Sequence, residues 1–468
     1  MIGILFSTLL TSFIILISGR VITSKDKNNK YLFFDTFIFG FIFLSFLPLF
    51  INFFLPLSKS VNSICILIIF LYILYKKRLD FSKKDITYLL LISFLSTLML
   101  VFSDSYRPDA GIYHYPYINV LNNEKIVIGL FNVHQRFAHI SIIQYTSAFF
   151  NNFIIGQNGI VIPLASISSA IIVYFFKTLI NLKSLKSFGL LNLFSFFVII
   201  YISFKMNRYS EFGNDALGHF LYFYLISFFI LNFKSKDKFF EIFIICIFIF
   251  LNKVSFILSF CYPLFYLAYN KVELIKLRNF KNVFASFFLL CWLLKNILVS
   301  GCLIYPVNST CFDDLKWSNS NRVEKSAIGI EAFAKGLSDQ KDDEYINAEK
   351  FRQNFNWLTT WYNGHFKKII FKNLGIYLII SLIASILLFY KVRSKKNYTK
   401  IKFDSYEKKL TKLIFVISFL GSLMWFLKFP TYRFGYSYLI SSIIFILILF
   451  IFYAKKNISH INRKSLNF

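Results

Sequence analysis

Long apolar runs recur from one end of the chain to the other, broken by short polar segments. They fall at about 2–19, 31–55, 61–75, 87–103, 158–176, 187–204, 217–232, 237–251, 254–269, 281–299, 371–390, 411–428 and 434–454. Continuous apolarity over roughly 15–25 residues predicts helices in lipid, because a helix satisfies its own backbone groups where no water can. Barrel strands would be about 10 residues long and would alternate, and no such alternation is present. The pattern predicts an all-α, polytopic membrane protein of about 13 transmembrane helices.

Two stretches interrupt the apolar rhythm, 104–157 and 301–370. In the first, "IYHYPYINVL" mixes aromatic and polar residues around Pro116, and "NVHQRFAHISIIQYTSAFF" carries Arg136 and His139 on one side. This predicts short interfacial helices over 112–153, anchored by aromatics in the headgroup region. In the second, Tyr345, Phe351, Phe355, Leu358 and Tyr362 have helical spacing and predict a small docking helix. The chain then divides into N-terminal transmembrane helices (1–103), a first loop (104–157), central helices (158–300), a long loop (301–370), and C-terminal helices with a tail (371–468).

Composition agrees with the bilayer reading. Of 468 residues, 57% are hydrophobic and 21% aromatic, and mean hydropathy is +0.60; a soluble domain cannot hide that much apolar surface. The net charge of +29 reads as topology rather than as an affinity for nucleic acid. Arg20 to Lys30, "KKRLDFSKK", Lys177 to Lys186, "KSKDK", Lys271 to Lys281, Lys391 to Lys412 and the tail from Lys455 all fall on one side of the thirteen spans. The positive-inside rule makes that side cytoplasmic, with the N-terminus outside and the C-terminus inside. Residues 1–19 lack a basic leading region and a small-x-small cleavage site, which predicts a retained first helix rather than a signal peptide.

The outer side receives 104–157, "KMNRYSEFGND", the turn at Asn252 and Lys253, 301–370 and "KFPTYRFG". Polar loops are ordinarily just solvated. Here, several loops bring a similar mix to one face: Asp104, Asp109, Tyr113 and His114; Arg136 and His139; Arg208, Glu211, Asp215 and His219; Lys253; and Arg433. A carboxylate at a membrane surface can act as a base, and Arg, Lys or His can neutralise a phosphate leaving group. Lys295 lies inside "LLCWLLKNILV", where an ammonium is either functional or snorkels to the headgroups. Cys65, Cys246, Cys261 and Cys291 sit in apolar spans as packing residues, whereas Cys302 and Cys311 bracket a polar loop and are disulfide candidates if that loop faces an oxidising compartment. No phosphate-binding loop, dinucleotide turn, nucleophile elbow or Cys/His metal spacing occurs. No cofactor is therefore predicted, with a divalent metal left open.

These residues carry a family resemblance. "DAGIYHYP" (Asp109 to Pro116), with "GLFNVHQRFAH" downstream and "WLLKNILVSGCLIYP" (Trp292 to Pro306), resembles the GT-C superfamily of integral-membrane glycosyltransferases, in particular bacterial members found with surface-polysaccharide genes. The resemblance covers roughly residues 87–310. It implies a multi-pass protein of the bacterial inner membrane, with its active face periplasmic or extracellular. It also implies transfer of a sugar from a polyprenyl-phosphate-linked donor to a glycan or lipid-linked acceptor, with inversion. The family's loop acid maps to Asp109 as general base, or to Asp104. Arg136, Arg208, Lys253, Lys295 and Arg433 become phosphate or sugar contacts, with Tyr113, His114, His139, Glu211 and Asp215 completing the substrate-binding set. The first loop has no tight acidic pair, and three spans precede the one matching the family's first helix. A repeat-unit polymerase for O-antigen or capsule would use similar chemistry. A flippase for lipid-linked sugars would instead show internal repeats and ionisable residues at the midplane, which are not evident.

Overall fold

The computed structural model describes residues 2–23, 32–103, 109–139, 141–180, 189–203, 213, 215–272, 277–339, 347–394 and 405–464. Each predicted span falls on a helix. The helices are α1 (Ile2–Ile22), α2 (Leu32–Ile51), α3 (Lys59–Tyr75), α4 (Lys83–Val101), α5 (Tyr115–Asn123), α6 (Ile142–Phe150), α7 (Ile162–Ile180), α8 (Leu190–Ser203) and α9 (Asp215–Asn232). They continue with α10 (Phe239–Asn252), α11 (Cys261–Asn270), α12 (Phe280–Ser300), α13 (Ser320–Ala334), α14 (Ala348–Arg352), α15 (Leu358–Trp361), α16 (Phe371–Ser394), α17 (Ser405–Lys428) and α18 (Tyr432–Lys464). Among the described residues the only strand-like pairing is one antiparallel bridge, between Cys302 and Cys311.

Nine helices among the described residues are long and apolar enough to cross a membrane, so the chain is a helical, multi-pass membrane protein by length and composition. Four predicted spans are shorter: Lys59–Tyr75, Leu190–Ser203, Phe239–Asn252 and Val254–Asn270. At 1.5 Å per residue the 14 residues of α10 reach about 21 Å, against a hydrocarbon core of about 30 Å. Apolarity alone does not fix how long the helix within a run will be.

The chain forms two compact units. The first comprises Met1–Tyr174, Lys205–Leu221 and Asp237–Ala327; the second comprises Phe175–Phe204, Tyr222–Lys236 and Ile328–Phe468. In the first, α1 and α2 pack so closely that a Cβ on Gly19 would lie 1.8 Å from Thr36 O and one on Gly40 would lie 2.0 Å from Ile15 O. Small residues allow this approach, which supplies the dispersion contacts that hold helices together in lipid. Hydroxyls join the helices: Thr8 pairs with Thr97 (2.9 Å), Ser12 with Ser166 (3.3 Å), Ser96 with Ser169 (3.1 Å) and Ser45 with Thr146 (2.6 Å).

Of the interfacial helices expected over 112–153, α5 keeps an exposed face with Tyr115, Asn119 and Asn123, but α6 does not. All nine residues of α6 are buried, whereas a helix lying on a membrane surface keeps a solvated face. Backbone carbonyls at its C-terminal end accept from carboxamides of neighbouring helices. Asn62 Nδ2 donates to Leu57 O, Ala148 O and Asn151 O at 2.8–2.9 Å, and Asn122 Nδ2 donates to Leu57 O and Ala148 O at 2.6 and 3.0 Å. Two carboxamides thus tie α3, α5 and α6 together. In the long loop, the helix expected over 345–362 is broken where Asn354 and Phe355 take positive φ (50° and 59°). The longest helix there is instead α13, of 15 residues, which begins where Asn319 Oδ1 accepts from Arg322 N.

The second unit contains α8 and α16–α18. Trp425 Nε1 and Trp361 Nε1 donate to Thr431 O and Pro430 O, both at 2.8 Å, closing the turn between α17 and α18. Tyr201 and Tyr432 share a hydroxyl hydrogen bond of 2.8 Å.

Candidate functional site

The first loop enters its helix through a wide π-type turn, Ala110–His114, a local geometry often found at functional positions. Asp109 stands just before it. Its carboxylate accepts from Arg136 NH1 at 3.0 Å, and the Arg136 guanidinium lies 5.0 Å from the centre of the Tyr113 ring. Both members of the ion pair are reachable by solvent, at 44% exposure for Arg136 and 27% for Asp109. His114 turns inward and is buried, with Nδ1 2.8 Å from Gln144 Nε2. Gln144 Oε1 in turn accepts from Ser141 N at 2.8 Å, the capping interaction that starts α6.

Three residues beyond Arg136, the His139 ring meets the Tyr305 ring edge to face at 4.6 Å. Tyr305 is held by Ser326 Oγ at 2.6 Å and packs on Phe131 at 5.4 Å. The segment carrying Tyr305 is itself fixed. Cys302 and Cys311 are disulfide-bonded, Trp317 Nε1 donates to Ile297 O at 2.9 Å, and Arg322 NH1 donates to Asn132 O at 2.9 Å. His139 Nε2 is buried and makes no hydrogen bond. Burial first, then the positive charges of Arg136 and Lys253, lower the imidazole to about 4, so it is neutral at physiological pH.

A third group gathers at the end of the short α10. Ser141 Oγ donates to Asn252 Oδ1 at 2.6 Å, Lys253 pairs with Asp215, and the fully buried His219 packs edge to face on Phe256. Lys253 is extended (φ −157°, ψ 118°), so the chain turns there before continuing into α11.

Lys295 on α12 does not snorkel. It is 1% exposed. Its Nζ donates to Asn296 Oδ1 at 2.7 Å and lies 3.6 Å from the centre of the Trp292 ring. Asn296 Nδ2 donates to Leu303 O at 2.9 Å, which points its oxygen at the ammonium. Among the described residues no carboxylate pairs with Lys295, although a buried ammonium without a counter-charge is costly.

The first unit therefore holds Asp109, Tyr113, His114, Arg136, His139, Asp215, Lys253 and Lys295. It joins Asp109, Arg136 and Tyr113 in one cluster and Asp215 with Lys253 in another. Arg433 belongs to the second unit, with its guanidinium 5.1 Å from the centre of the Phe434 ring. Asp104, Arg208 and Glu211 lie outside the described residues. Among those described, no three His, Cys, Asp or Glu side chains gather to hold a metal ion. Sequence reasoning passed over Gln144, Ser141, Asn296 and Tyr305; the amides and hydroxyls among them stand in or beside apolar runs, a usable signal, whereas Tyr305 looks like any interfacial aromatic.

No curated protein and no solved structure matches the chain. Residues 1–440 match one family model, described as "Domain of unknown function (DUF8201)". The match takes in both α12 and the first loop with its ion pair, and nearly the whole chain, so this protein belongs to the DUF8201 family.

Proposed function

We propose that the chain is a GT-C-like membrane glycosyltransferase with thirteen crossings and a cytoplasmic C-terminus, moving a sugar from a polyprenyl-phosphate-linked donor to a glycan or lipid-linked acceptor at the outer leaflet. The observation that carries this is Lys295, a buried ammonium with one neutral acceptor and an aromatic face, in the same unit as the Asp109–Arg136 pair. Such a charge suits an anionic ligand that enters and leaves, and a lipid phosphate is the anion a membrane-sunk cation meets. A disulfide between Cys302 and Cys311 suits an oxidising, non-cytoplasmic side.

In this reaction Asp109 takes the proton of the acceptor hydroxyl as its oxygen attacks the anomeric carbon. The bond to the phosphate oxygen breaks, and Arg136 and Lys295 stabilise the departing polyprenyl phosphate. The test is the surface glycan of a deletion strain complemented with wild type, Asp109→Asn or Lys295→Met at matched membrane levels. Loss of one sugar from the glycan in both variants supports the reading. Wild-type glycan in both sinks it, and chains arrested at a single repeat unit would identify a polymerase instead.

A further inference from the structure

Gln144 is buried on α6, and both ends of its amide have a partner. Oε1 accepts from Ser141 N at 2.8 Å, and Nε2 lies 2.8 Å from His114 Nδ1. A backbone N–H only donates, so the atom that faces Ser141 is the amide oxygen. The atom that faces His114 is then the amide NH2, which also only donates. At that distance it needs a lone pair on Nδ1, and an imidazole with Nδ1 bare carries its proton on Nε2. Ser141 is tied down in turn, its hydroxyl donating to Asn252 Oδ1 at 2.6 Å. The start of α6 thereby decides the tautomer of a histidine 30 residues earlier in the chain.

That histidine stands against the ion pair of the first loop. The His114 ring centre is 4.2 Å from that of Tyr113. The Arg136 guanidinium lies 5.0 Å from the Tyr113 centre and donates to Asp109 at 3.0 Å. His114 also closes the π-type turn that follows Asp109, where Tyr115 N donates to Ala110 O. A charged imidazole would need a second proton, on Nδ1, and would set two donors against each other. Gln144 therefore opposes a positive charge beside Tyr113, where it would compete with Arg136 for the aromatic ring and repel the guanidinium.

We infer that Gln144 is a positioning residue: by donating to Nδ1 it holds His114 as the neutral Nε2–H tautomer against Tyr113, and so keeps that ring for the guanidinium that pairs with Asp109. The tautomer rests on the contacts alone, and its bearing on transfer rests on the reading of Asp109 as the base.

The test uses the full chain in lipid bilayers and solid-state NMR, in which a bare imidazole nitrogen resonates far downfield of one that carries a proton. Isotope labels on tyrosine carbonyls and histidine nitrogens single out His114, because Tyr113–His114 is the one Tyr–His step in the sequence. Wild type is expected to show Nδ1 bare and Nε2 protonated; a proton on Nδ1 overturns the inference. Gln144→Glu keeps an acceptor for Ser141 N, as in the acidic form of the same cap, but presents an acceptor to His114, so a proton is expected on Nδ1. An unchanged His114 spectrum in that variant also overturns the inference. Asn122→Leu breaks the tie between α3, α5 and α6 and leaves the Gln144 amide alone. It is expected to lower stability with the His114 signals unmoved, and a proton on Nδ1 there would show that packing rather than Gln144 sets the tautomer. Transfer is expected to fall roughly a hundredfold in Gln144→Glu. If it stays at the wild-type level while Asp109→Asn abolishes it, the positioning inference fails and the transferase reading stands. If Asp109→Asn leaves the glycan intact while the wild-type and Gln144→Glu spectra are as expected, the transferase reading fails and the hold of Gln144 on His114 stands.

Discussion

The two units treat their buried cations differently. In the second unit Glu331 accepts from Lys335 Nζ at 2.6 Å and from Arg352 NH1 at 3.1 Å, and Lys335 also donates to Arg352 O at 3.1 Å. Around this knot Thr431 Oγ1 donates to Ala334 O and Tyr432 N donates to His365 Nε2. Burial alone would raise the Glu331 carboxyl, but the hydrogen bond and charge of Lys335, the charge of Lys428 and the hydrogen bond from Arg352 hold it below its usual range. In the first unit Lys295 has a single neutral acceptor and His139 Nε2 has none. Opposite charges that meet in a network act as a clamp, even though Arg352 Nε is left without a partner, whereas a buried cation facing one neutral acceptor lacks its counter-charge.

That contrast can be broken at several points. The largest effect is expected from Asp109→Asn, which keeps the shape and removes the base: transfer should fall by roughly 10²–10⁴ with the protein still folded, measured as sugar incorporation per unit of membrane protein. Next comes a crossed pair. Glu331→Ala leaves the buried Lys335 without its carboxylate, while Arg352 keeps Glu349, and should cost about 3–5 kcal/mol, seen as a lower melting temperature in detergent with transfer per folded molecule intact. Lys295→Met removes a charge that had no counter-charge, so its stability should stay within about 1 kcal/mol of wild type while transfer drops roughly a hundredfold. If Lys295→Met unfolds the protein, or Glu331→Ala abolishes activity at full stability, the two clusters have been assigned the wrong way round.

Smaller effects sharpen the comparison. Replacing Cys302 and Cys311 by Ser opens a loop of sequence separation 9 and should cost about 2–3 kcal/mol. Hydrogen exchange should rise in 302–326 and around His139, and stay unchanged around Glu331. The smallest effect is a pH dependence. His139 is lowered from 6.5 to about 4 in the folded chain, so between these values the unfolded chain binds the proton and the native one does not. Its contribution is therefore present above pH 6.5 and is lost as pH falls towards 4, by no more than about 3 kcal/mol. Melting temperature should fall over this window in wild type and fall less in His139→Phe. Equal slopes would show that the ring is not held neutral.

Much of the fold was legible because lipid imposes a simple rule. Thirteen apolar runs predicted thirteen helices, and each run lies on one, because a span must satisfy its backbone internally. The rule did not show that α8 and α10 have only 14 residues, since an apolar run ends the same way whether it crosses or stops partway. Nor did it show that α6 is buried on all sides, because the Asn62 and Asn122 carboxamides that enclose it come from elsewhere in the chain. At the site, Asp109, Tyr113 and Arg136 were legible as a polar island, and their convergence follows from short-range turns. The environment of Lys295 was not, because burial or snorkelling depends on what surrounds the end of α12.

By itself, then, the sequence determined the class of molecule, the positions of its helices and the residues with chemistry to offer; apolar length, turn residues and isolated charges are local properties of the chain. Only the tertiary structure decided which polar groups are satisfied. It closed Glu331 between two cations, left Lys295 with one amide oxygen, stranded His139 Nε2 beside Tyr305 and placed Arg433 in the other unit. Satisfaction of a buried group depends on partners from distant segments meeting at hydrogen-bond distance, and no local pattern records that.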